Sequence, residues 1–262
     1  MYGAIIGDLA GSIYEFNQVK NVHSISINEL ITTDSFYSDD TILTIAILDA
    51  ILHNKDYEKY LKLYAKDFLN YKPEFEPYFK TTFSPAFTKW VKGNNQGKSI
   101  GNGAIMRISP IGYMFNTENE IRENAKLATI PSHNSLEAIE SATKIALIIF
   151  YFRNGLTIED VYSKLNIIVE YKPFKNFNTT CNETIQNCLY ALYKSLNFSD
   201  AIKKIIAMGG DTDTNAAIVG SMAEALYGID ENLILLAKQK IPNNFNKTLE
   251  TGYSKVKKLT LY

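Results

Sequence analysis

Two acidic clusters near opposite ends of the 262-residue chain constrain its fold more than any other feature. The first is Ser38-Asp39-Asp40-Thr41 and the second is Gly209-Gly210-Asp211-Thr212-Asp213-Thr214. Each opens an apolar run with helical periodicity. No linker rich in proline, glycine or serine divides the chain, and its length suits one sizeable core. We therefore expect a single domain over residues 1–262, in which the two clusters meet.

The clusters combine carboxylates with hydroxyls, which are the oxygen ligands that Mg²⁺ and Mn²⁺ prefer. Asp39, Asp40, Asp211 and Asp213 carry negative charges that two divalent cations would cancel, and without cations such a cluster repels itself and raises pKa values. The histidines are widely separated and no paired-cysteine spacing occurs, so a zinc site is poorly supported. The structural alternative is helix capping, but capping needs only one Asp, Ser or Thr at each helix start.

Apolar residues repeat at helical spacing along most of the chain. The runs that begin at Ile42 and Tyr57 predict amphipathic helices. Further helices are predicted over Ser135–Phe152, Glu183–Leu196, Asp200–Ala207, Asn215–Tyr227 and Glu231–Gln239. Alternation typical of a strand is short and isolated, around residues 23–31. These patterns predict a mainly helical bundle whose loops carry the chemistry.

Charge and apolar patterning exclude several classes of protein. The net charge is −1 and the basic residues form no cluster, so bulk nucleic-acid binding is not expected. Cys181 and Cys188 lie in a helical stretch, which favours free thiols and fits a cytoplasmic location. The apolar opening reaches Asp8 too early for a signal peptide, and no run has the length of a transmembrane helix. We therefore expect a cytoplasmic protein that does not bind membranes.

Five motifs follow one another in an informative order. They are the segment from Gly3 to Phe16, Ser38-Asp39-Asp40-Thr41, Gly101-Asn102-Gly103-Ala104-Ile105-Met106-Arg107, Ser132-His133 and the segment from Gly209 to Thr214. In this order they resemble the ADP-ribosylglycohydrolase family, which includes the dinitrogenase reductase-activating glycohydrolase. The resemblance covers nearly the whole chain, and its last motif is the most specific. It implies an all-α, single-domain orthogonal helical bundle and a hydrolase that removes ADP-ribose.

The resemblance also implies a centre of two Mg²⁺ or Mn²⁺ ions that holds the terminal ribose. Its implied ligands are Ser38, Asp39, Asp40, Asp211, Asp213 and Thr214. Ser38 stands where the family usually has threonine, and its hydroxyl offers the same oxygen donor. Glu15 and Asp40 are the implied catalytic residues, with Glu15 handling a proton. Taken alone, Glu15 is equally well an exposed helix residue, and Asp8 either orients ligands or caps its helix.

The glycines that precede Met106 and Arg107 would let backbone N–H groups approach a diphosphate at a helix start. Without the resemblance, a turn between helices explains them equally well. The implied substrate-binding residues are Gly101, Asn102, Gly103, Ala104, Met106 and His133. A lone histidine such as His133 is also common as a purely structural residue.

The sequence thus predicts a metal-dependent hydrolase that cleaves the bond at the anomeric carbon of the terminal ribose in an ADP-ribosylated macromolecule or conjugate. The alternative is a catalytically inactive module that binds ADP-ribose or a related nucleotide. A purely structural role would leave the acidic clusters without a purpose. The acceptor stays open, since arginine, serine, a nucleic-acid base and a small conjugate all present the same ADP-ribose half. Residues 71–90 and 172–180 are candidates for the rim that selects it.

Overall fold

The computed structural model describes residues 1–15, 26–73, 81–93, 97–174 and 177–256. Within these ranges the chain forms thirteen α-helices, one short 3₁₀ helix and no β-strand, which confirms the all-α prediction. The helices are α1 (Tyr2–Ser12), α2 (Asp39–Leu52), α3 (Tyr57–Asp67), α4 (Pro85–Lys92), the 3₁₀ helix (Asn102–Ala104), α5 (Ser109–Met114), α6 (Glu118–Thr129), α7 (Leu136–Arg153), α8 (Ile158–Lys164), α9 (Cys181–Tyr193), α10 (Phe198–Ile206), α11 (Thr212–Tyr227), α12 (Glu231–Lys240) and α13 (Asn243–Lys255). In the described ranges, no helix combines the length and apolar character needed to cross a membrane.

Helices α2, α7 and α11 form the centre of the molecule, because they are buried over most of their length. The prediction that α2 is amphipathic is wrong. Residues from Asp40 to Leu48 are all buried, because α2 packs against α1, α3, α5 and α13. A helix surrounded in this way is apolar on all sides. The amphipathic prediction for α3 is confirmed, since Tyr57, Leu61 and Ala65 are its buried residues.

The helix predictions from periodicity are confirmed for five further segments, with shifted ends. Helices α9 and α11 both begin earlier than predicted. Helix α9 begins at Cys181, because the hydroxyl of Thr180 caps it, and α11 begins at Thr212, after Asp211 at its N-cap position. The strand-like alternation is wrong over residues 26–31, which have no regular structure, and residues 23–25 lie outside the described ranges. Ile27, Leu30 and Ile31 pack into the helical core instead. Cys181 and Cys188 are free thiols, as predicted, and both are buried.

Helices α1 and α11 pack more extensively than any other pair, and glycines make this possible. A Cβ atom on Gly7 would lie 2.0 Å from the carbonyl oxygen of Ala216, and one on Gly3 would lie 2.1 Å from that of Gly220. Only glycine allows two backbones to approach so closely. The contact continues at Gly11, where a Cβ would lie 2.4 Å from the Cα of Asp213. Helix packing thus brings the end of α1 to the start of α11, where the second acidic cluster lies.

Candidate active site

Asp8, Asp40 and Asp213 form a buried carboxylate group where α1, α2 and α11 meet. Each offers an oxygen atom, and these oxygens all lie within 4.8 Å of one another. Asp8 Oδ2 accepts hydrogen bonds from the backbone N–H groups of Ser38 at 2.9 Å and Thr41 at 3.0 Å, and from the Thr41 hydroxyl at 2.5 Å. Asp8 therefore caps the start of α2, and the prediction that it caps its own helix is wrong, because it lies inside α1.

Three oxygens in this group have no hydrogen-bond donor in the described ranges, namely Oδ1 of Asp8, Asp40 and Asp213. Asp40 Oδ2 accepts from the hydroxyls of Ser38 at 3.2 Å and Thr214 at 3.1 Å. Buried carboxylate oxygens are costly unless a donor or a cation satisfies them. The donor set consists of oxygen atoms alone, so it fits a hard divalent cation such as Mg²⁺ or Mn²⁺.

Glu15, Asp211 and Asp213 form a second carboxylate group, again with one oxygen from each within 4.8 Å of the others. Glu15 is half-buried in the turn that follows α1, so it is not the exposed helix residue that the structural alternative described. Asp211 is buried at the N-cap position of α11. Because Asp213 belongs to both groups, the two candidate cation positions are adjacent and share this carboxylate.

The loop before α11 is shaped by two glycines and one asparagine. Gly209 and Gly210 have φ angles of 76° and 75°, which residues with a side chain rarely adopt. A Cβ atom on Gly210 would also lie 2.1 Å from Asn178 Oδ1. Asn178 Oδ1 accepts from the N–H of Asp211 at 2.8 Å, and its amide donates to Asn215 Oδ1 at 2.8 Å. The two glycines thus turn the chain just before Asp211, and Asp213 lies in the first turn of α11.

Burial and mutual repulsion raise the pKa values of these carboxyl groups. Desolvation is the largest cause for Asp8, Glu15 and Asp40, and the negative charge of Asp213 is the next. The pKa of Asp211 is raised for the same reasons, although the Asn102 amide, which donates to its Oδ2 at 2.7 Å, opposes the rise. Raised pKa values in a carboxylate cluster show that the site favours either protons or cations.

A cavity of about 830 Å³ opens onto the second carboxylate group and reaches the first only through Asp213. Glu15, Asp39, Asp211 and Asp213 contribute its acidic lining, together with the hydroxyl residues Ser38 and Thr214. Asp39 and Asp40 thus face different surroundings, although they are adjacent at the start of α2. Asp40 is buried outside the lining, whereas Asp39 is part of it. The volume lies in the range of pockets that enclose cofactor-sized ligands.

The predicted substrate-binding residues lie along one wall of this cavity, with one exception. Gly101, Asn102, Gly103, Met106 and His133 belong to the lining. Ala104 is fully buried and lies outside it. The wall is held in place by the 177–181 segment. The N–H of Asn102 donates to the carbonyl of Thr179, and the N–H of Cys181 to that of Ile100, both at 2.9 Å.

The predicted rim segments also contribute to the cavity. Phe83 and Phe87 line it from the 71–90 segment, of which residues 74–80 are outside the described ranges. Phe177 and Thr179 line it from the 172–180 segment, of which residues 175 and 176 are outside. Phe83, Phe87 and Trp90 of the first segment are also buried and belong to the hydrophobic core.

Sequence reasoning missed several residues that shape the site. Asp8 stands in the first motif, but the sequence does not decide between its two roles. Asn178 has no sequence signal, because its importance comes from its contacts with the loop before α11. Arg107 ends the third motif, and the structure places it in the cavity lining, almost completely buried. The signal for Arg107 in the sequence is its place in the third motif, because its burial is known only from the structure.

Comparisons with known proteins agree with this architecture. The sequence model of the ADP-ribosylglycohydrolase family matches residues 1–252. The ADP-ribosylarginine hydrolase Tri1 of Serratia proteamaculans is 22% identical over 270 residues, which cover 87% of this chain and 70% of that protein. The ADP-ribosylhydrolase ARH3 of Mus musculus is 20% identical over 310 residues, covering 87% and 83%. A solved ADP-ribosylglycohydrolase-related protein complex has the same fold, with a TM-score of 0.67, 16% identity and coverage of 97% and 92%.

Proposed function

Because this chain belongs to the ADP-ribosylglycohydrolase family, we propose that it is a metal-dependent hydrolase that removes ADP-ribose from a modified protein or another acceptor. The bond cleaved is the one at the anomeric carbon of the terminal ribose. One observation carries the proposal. Two carboxylate groups share Asp213, and Asp213, Asp211 and Glu15 line a cavity large enough for a nucleotide-sized ligand.

The carboxylate groups are the proposed metal-binding residues. Asp8, Asp40 and Asp213 would hold one ion, and Asp211 and Asp213 a second, with Glu15 beside it. Asp39 and the hydroxyls of Ser38 and Thr214 complete the proposed ligand set. Mg²⁺ or Mn²⁺ bound here would orient the ribose hydroxyls and stabilise negative charge that develops on them. Asp40 lies outside the cavity lining, so its proposed contribution to catalysis is to bind the ion.

Glu15 is the residue proposed to move a proton. It lines the cavity, and burial followed by the charges of Asp213 and Asp211 raises its pKa. A carboxyl group in such surroundings can donate a proton to a leaving group or accept one from water. The cavity wall formed by Gly101, Asn102 and Gly103 is the proposed binding surface for the diphosphate of ADP-ribose.

The substrate is proposed to be an ADP-ribosylated macromolecule or an ADP-ribose conjugate. The name of the Serratia relative specifies ADP-ribosylarginine. That of a Rhodospirillum rubrum relative, 23% identical over half of this chain, specifies ADP-ribosyl-[dinitrogen reductase]. An arginine linkage is therefore the first to test. The acceptor side chain would project past the rim formed by Phe83 and Phe177.

The proposal is tested by measuring ADP-ribose release from arginine-linked, serine-linked and DNA-linked conjugates in the presence of Mg²⁺ or Mn²⁺. Glu15→Gln is expected to lower kcat on the cleaved linkage by about 100-fold or more, the usual contribution of general acid–base catalysis. Glu29→Gln changes an exposed glutamate and is the matched control. Binding of ADP-ribose without release from any conjugate would refute the hydrolase and establish the binding module. Full activity of Glu15→Gln would refute the role of Glu15.

A further inference from the structure

The cavity wall contains a buried charged side chain that the proposed reaction does not use. Arg107 is 1% exposed and lines the cavity beside Met106. Its guanidinium lies 5.8 Å from the centre of the Phe87 ring, and its Nη2 donates to the hydroxyl oxygen of Ser132 at 2.7 Å. Buried arginines usually pair with a carboxylate. Among the described residues Arg107 makes no ion pair within 4.0 Å. Its burial therefore has to be explained by its hydrogen bond to Ser132.

One arrangement of protons satisfies both hydrogen bonds that join Arg107, Ser132 and His133. A guanidinium only donates, so the oxygen of Ser132 accepts from Arg107. The hydroxyl of Ser132 lies 2.7 Å from Nδ1 of His133, and its own proton is free to be donated there. Nδ1 then accepts, and the single proton of the neutral imidazole lies on Nε2. Burial and the positive charge of Arg107 lower the pKa of His133, which keeps the ring neutral.

The other edge of the imidazole faces the glycine wall. A Cβ atom on Gly103 would lie 3.4 Å from Nε2 of His133, and one on Gly101 would lie 3.6 Å from it. Nε2 makes no hydrogen bond within the described ranges, and His133 belongs to the cavity lining. The backbone of His133 is fixed, because its N–H donates to the carbonyl of Thr129 at 2.9 Å and it pairs with Lys98. The free N–H is therefore held beside the proposed diphosphate surface.

We infer that Arg107 and Ser132 are positioning residues that fix His133 as the Nε2-protonated tautomer, so that Nε2–H donates a hydrogen bond to an acceptor oxygen of bound ADP-ribose. The identity of this ligand rests on the proposed function, whereas the tautomer does not. In the other tautomer Nε2 would present a lone pair to the ligand oxygen, and the two would repel. The hydrogen bonds from Arg107 to Ser132 and from Ser132 to His133 thus decide whether Nε2 attracts or repels an oxygen atom of the ligand.

The tautomer can be measured directly by ¹⁵N NMR of histidine-labelled protein. The chain has three histidines, so few signals have to be assigned. For the wild-type protein at pH 7 we expect the shifts of an Nε2-protonated ring at His133. Ser132→Ala removes the donor to Nδ1 and is expected to give a mixture of tautomers or the Nδ1-protonated ring. Arg107→Met is expected to act in the same direction, because Ser132 then becomes free to accept from Nδ1–H.

Ligand binding supplies the second readout. Ser132→Ala is expected to weaken ADP-ribose binding about tenfold and to raise KM by a similar factor with kcat nearly unchanged, the pattern of lost ground-state binding. Ser132→Thr keeps the hydroxyl and is expected to restore both tautomer and affinity. Ser221→Ala is the matched control, because Ser221 is a buried serine whose hydroxyl donates to a backbone carbonyl on α11.

An Nδ1-protonated or charged His133 in the wild-type protein would overturn the inference, even if the variants do not fold. So would an unchanged tautomer in Ser132→Ala, or unchanged ADP-ribose affinity with an altered tautomer. The proposed function fails in a different way. If the wild-type protein has the Nε2-protonated ring but neither binds nor releases ADP-ribose, the roles of Arg107 and Ser132 in fixing the tautomer stand. The assignment of ADP-ribose as the ligand is then refuted.

Discussion

Replacing Asp213 by asparagine should make the protein more stable without divalent cations and abolish most of the stability that cations provide. Asp213 is the carboxylate common to both groups. Its negative charge is among the causes that raise the pKa values of Asp8, Glu15, Asp40 and Asp211. Asparagine has nearly the same shape as aspartate, so the change removes the charge and leaves the packing intact.

The magnitude follows from the spacing of the carboxylates. Two unit charges 4.8 Å apart, the outer limit of the oxygen spacing in each group, repel by roughly 3.5 kcal/mol at an effective dielectric constant of about 20. Protonation of one carboxyl relieves part of this repulsion, so we expect a gain of about 1–2 kcal/mol in the free energy of unfolding. For a chain of this size that gain corresponds to about 2–8 °C in Tm.

When cations are present, the Asp213→Asn variant should instead be less stable than the wild-type protein. At a free Mg²⁺ concentration about 100 times its Kd, the wild-type protein gains about 2.7 kcal/mol. The Asp213→Asn variant loses a ligand from both positions and gains little. The assay is thermal unfolding followed by circular dichroism at pH 7.5, in EDTA and in Mg²⁺. Asp34→Asn, an exposed change of the same kind, should shift Tm little in either condition. A variant that is less stable than wild type in EDTA, or that gains as much from Mg²⁺, would refute the reasoning.

Three other predictions concern stability and the support of the site. The pKa of Asp8 is raised to about 7, first by burial and then by Asp213, so in EDTA the folded protein binds more protons than the unfolded chain and Tm should fall between about pH 4 and pH 7. Mg²⁺ should remove this fall. A Tm that rises with pH over the same range in EDTA would contradict the expected direction. Gly7→Ala places a methyl group 2.0 Å from a backbone oxygen and should cost about 3 kcal/mol or more. Gly93→Ala, whose nearest contact is 3.3 Å, should change stability by less than about 0.5 kcal/mol in the same denaturant titration; similar losses would refute the close-packing argument. Asn178→Ala should weaken Mg²⁺ binding about 10–100-fold by calorimetry, because it frees the loop that holds the carboxylates, and an unchanged Kd would show that the loop needs no such support.

The sequence was sufficient to predict the meeting of the two acidic clusters, because each begins an apolar helix and the chain has no linker. It also predicted the helices with clear periodicity, such as α3 and α12. It did not predict α1, whose glycines hide the helical pattern and make sense only against α11. The capping boxes at Thr117 and Thr157 mark the starts of α6 and α8, so the sequence carries a signal for both helices.

The site was predicted where a motif carries the chemistry and missed where a contact does. The clustered acids stand in motifs, so their grouping was expected from the sequence. The support from Asn178 depends on a hydrogen bond to the backbone of Asp211, and no local pattern records such a bond. The partition between Asp39 and Asp40, with only Asp39 in the cavity lining, depends on how α2 packs.

The measurement that tests the central claim most directly is ADP-ribose release from one conjugate before chelation, after chelation and after return of Mg²⁺ or Mn²⁺. Metal content is measured at each stage by mass spectrometry. The proposed site predicts that release stops when the metal is removed and resumes when it is returned, and that Asp211→Ala shows no release at any stage. Undiminished release by protein shown to be free of divalent metal would contradict the claim.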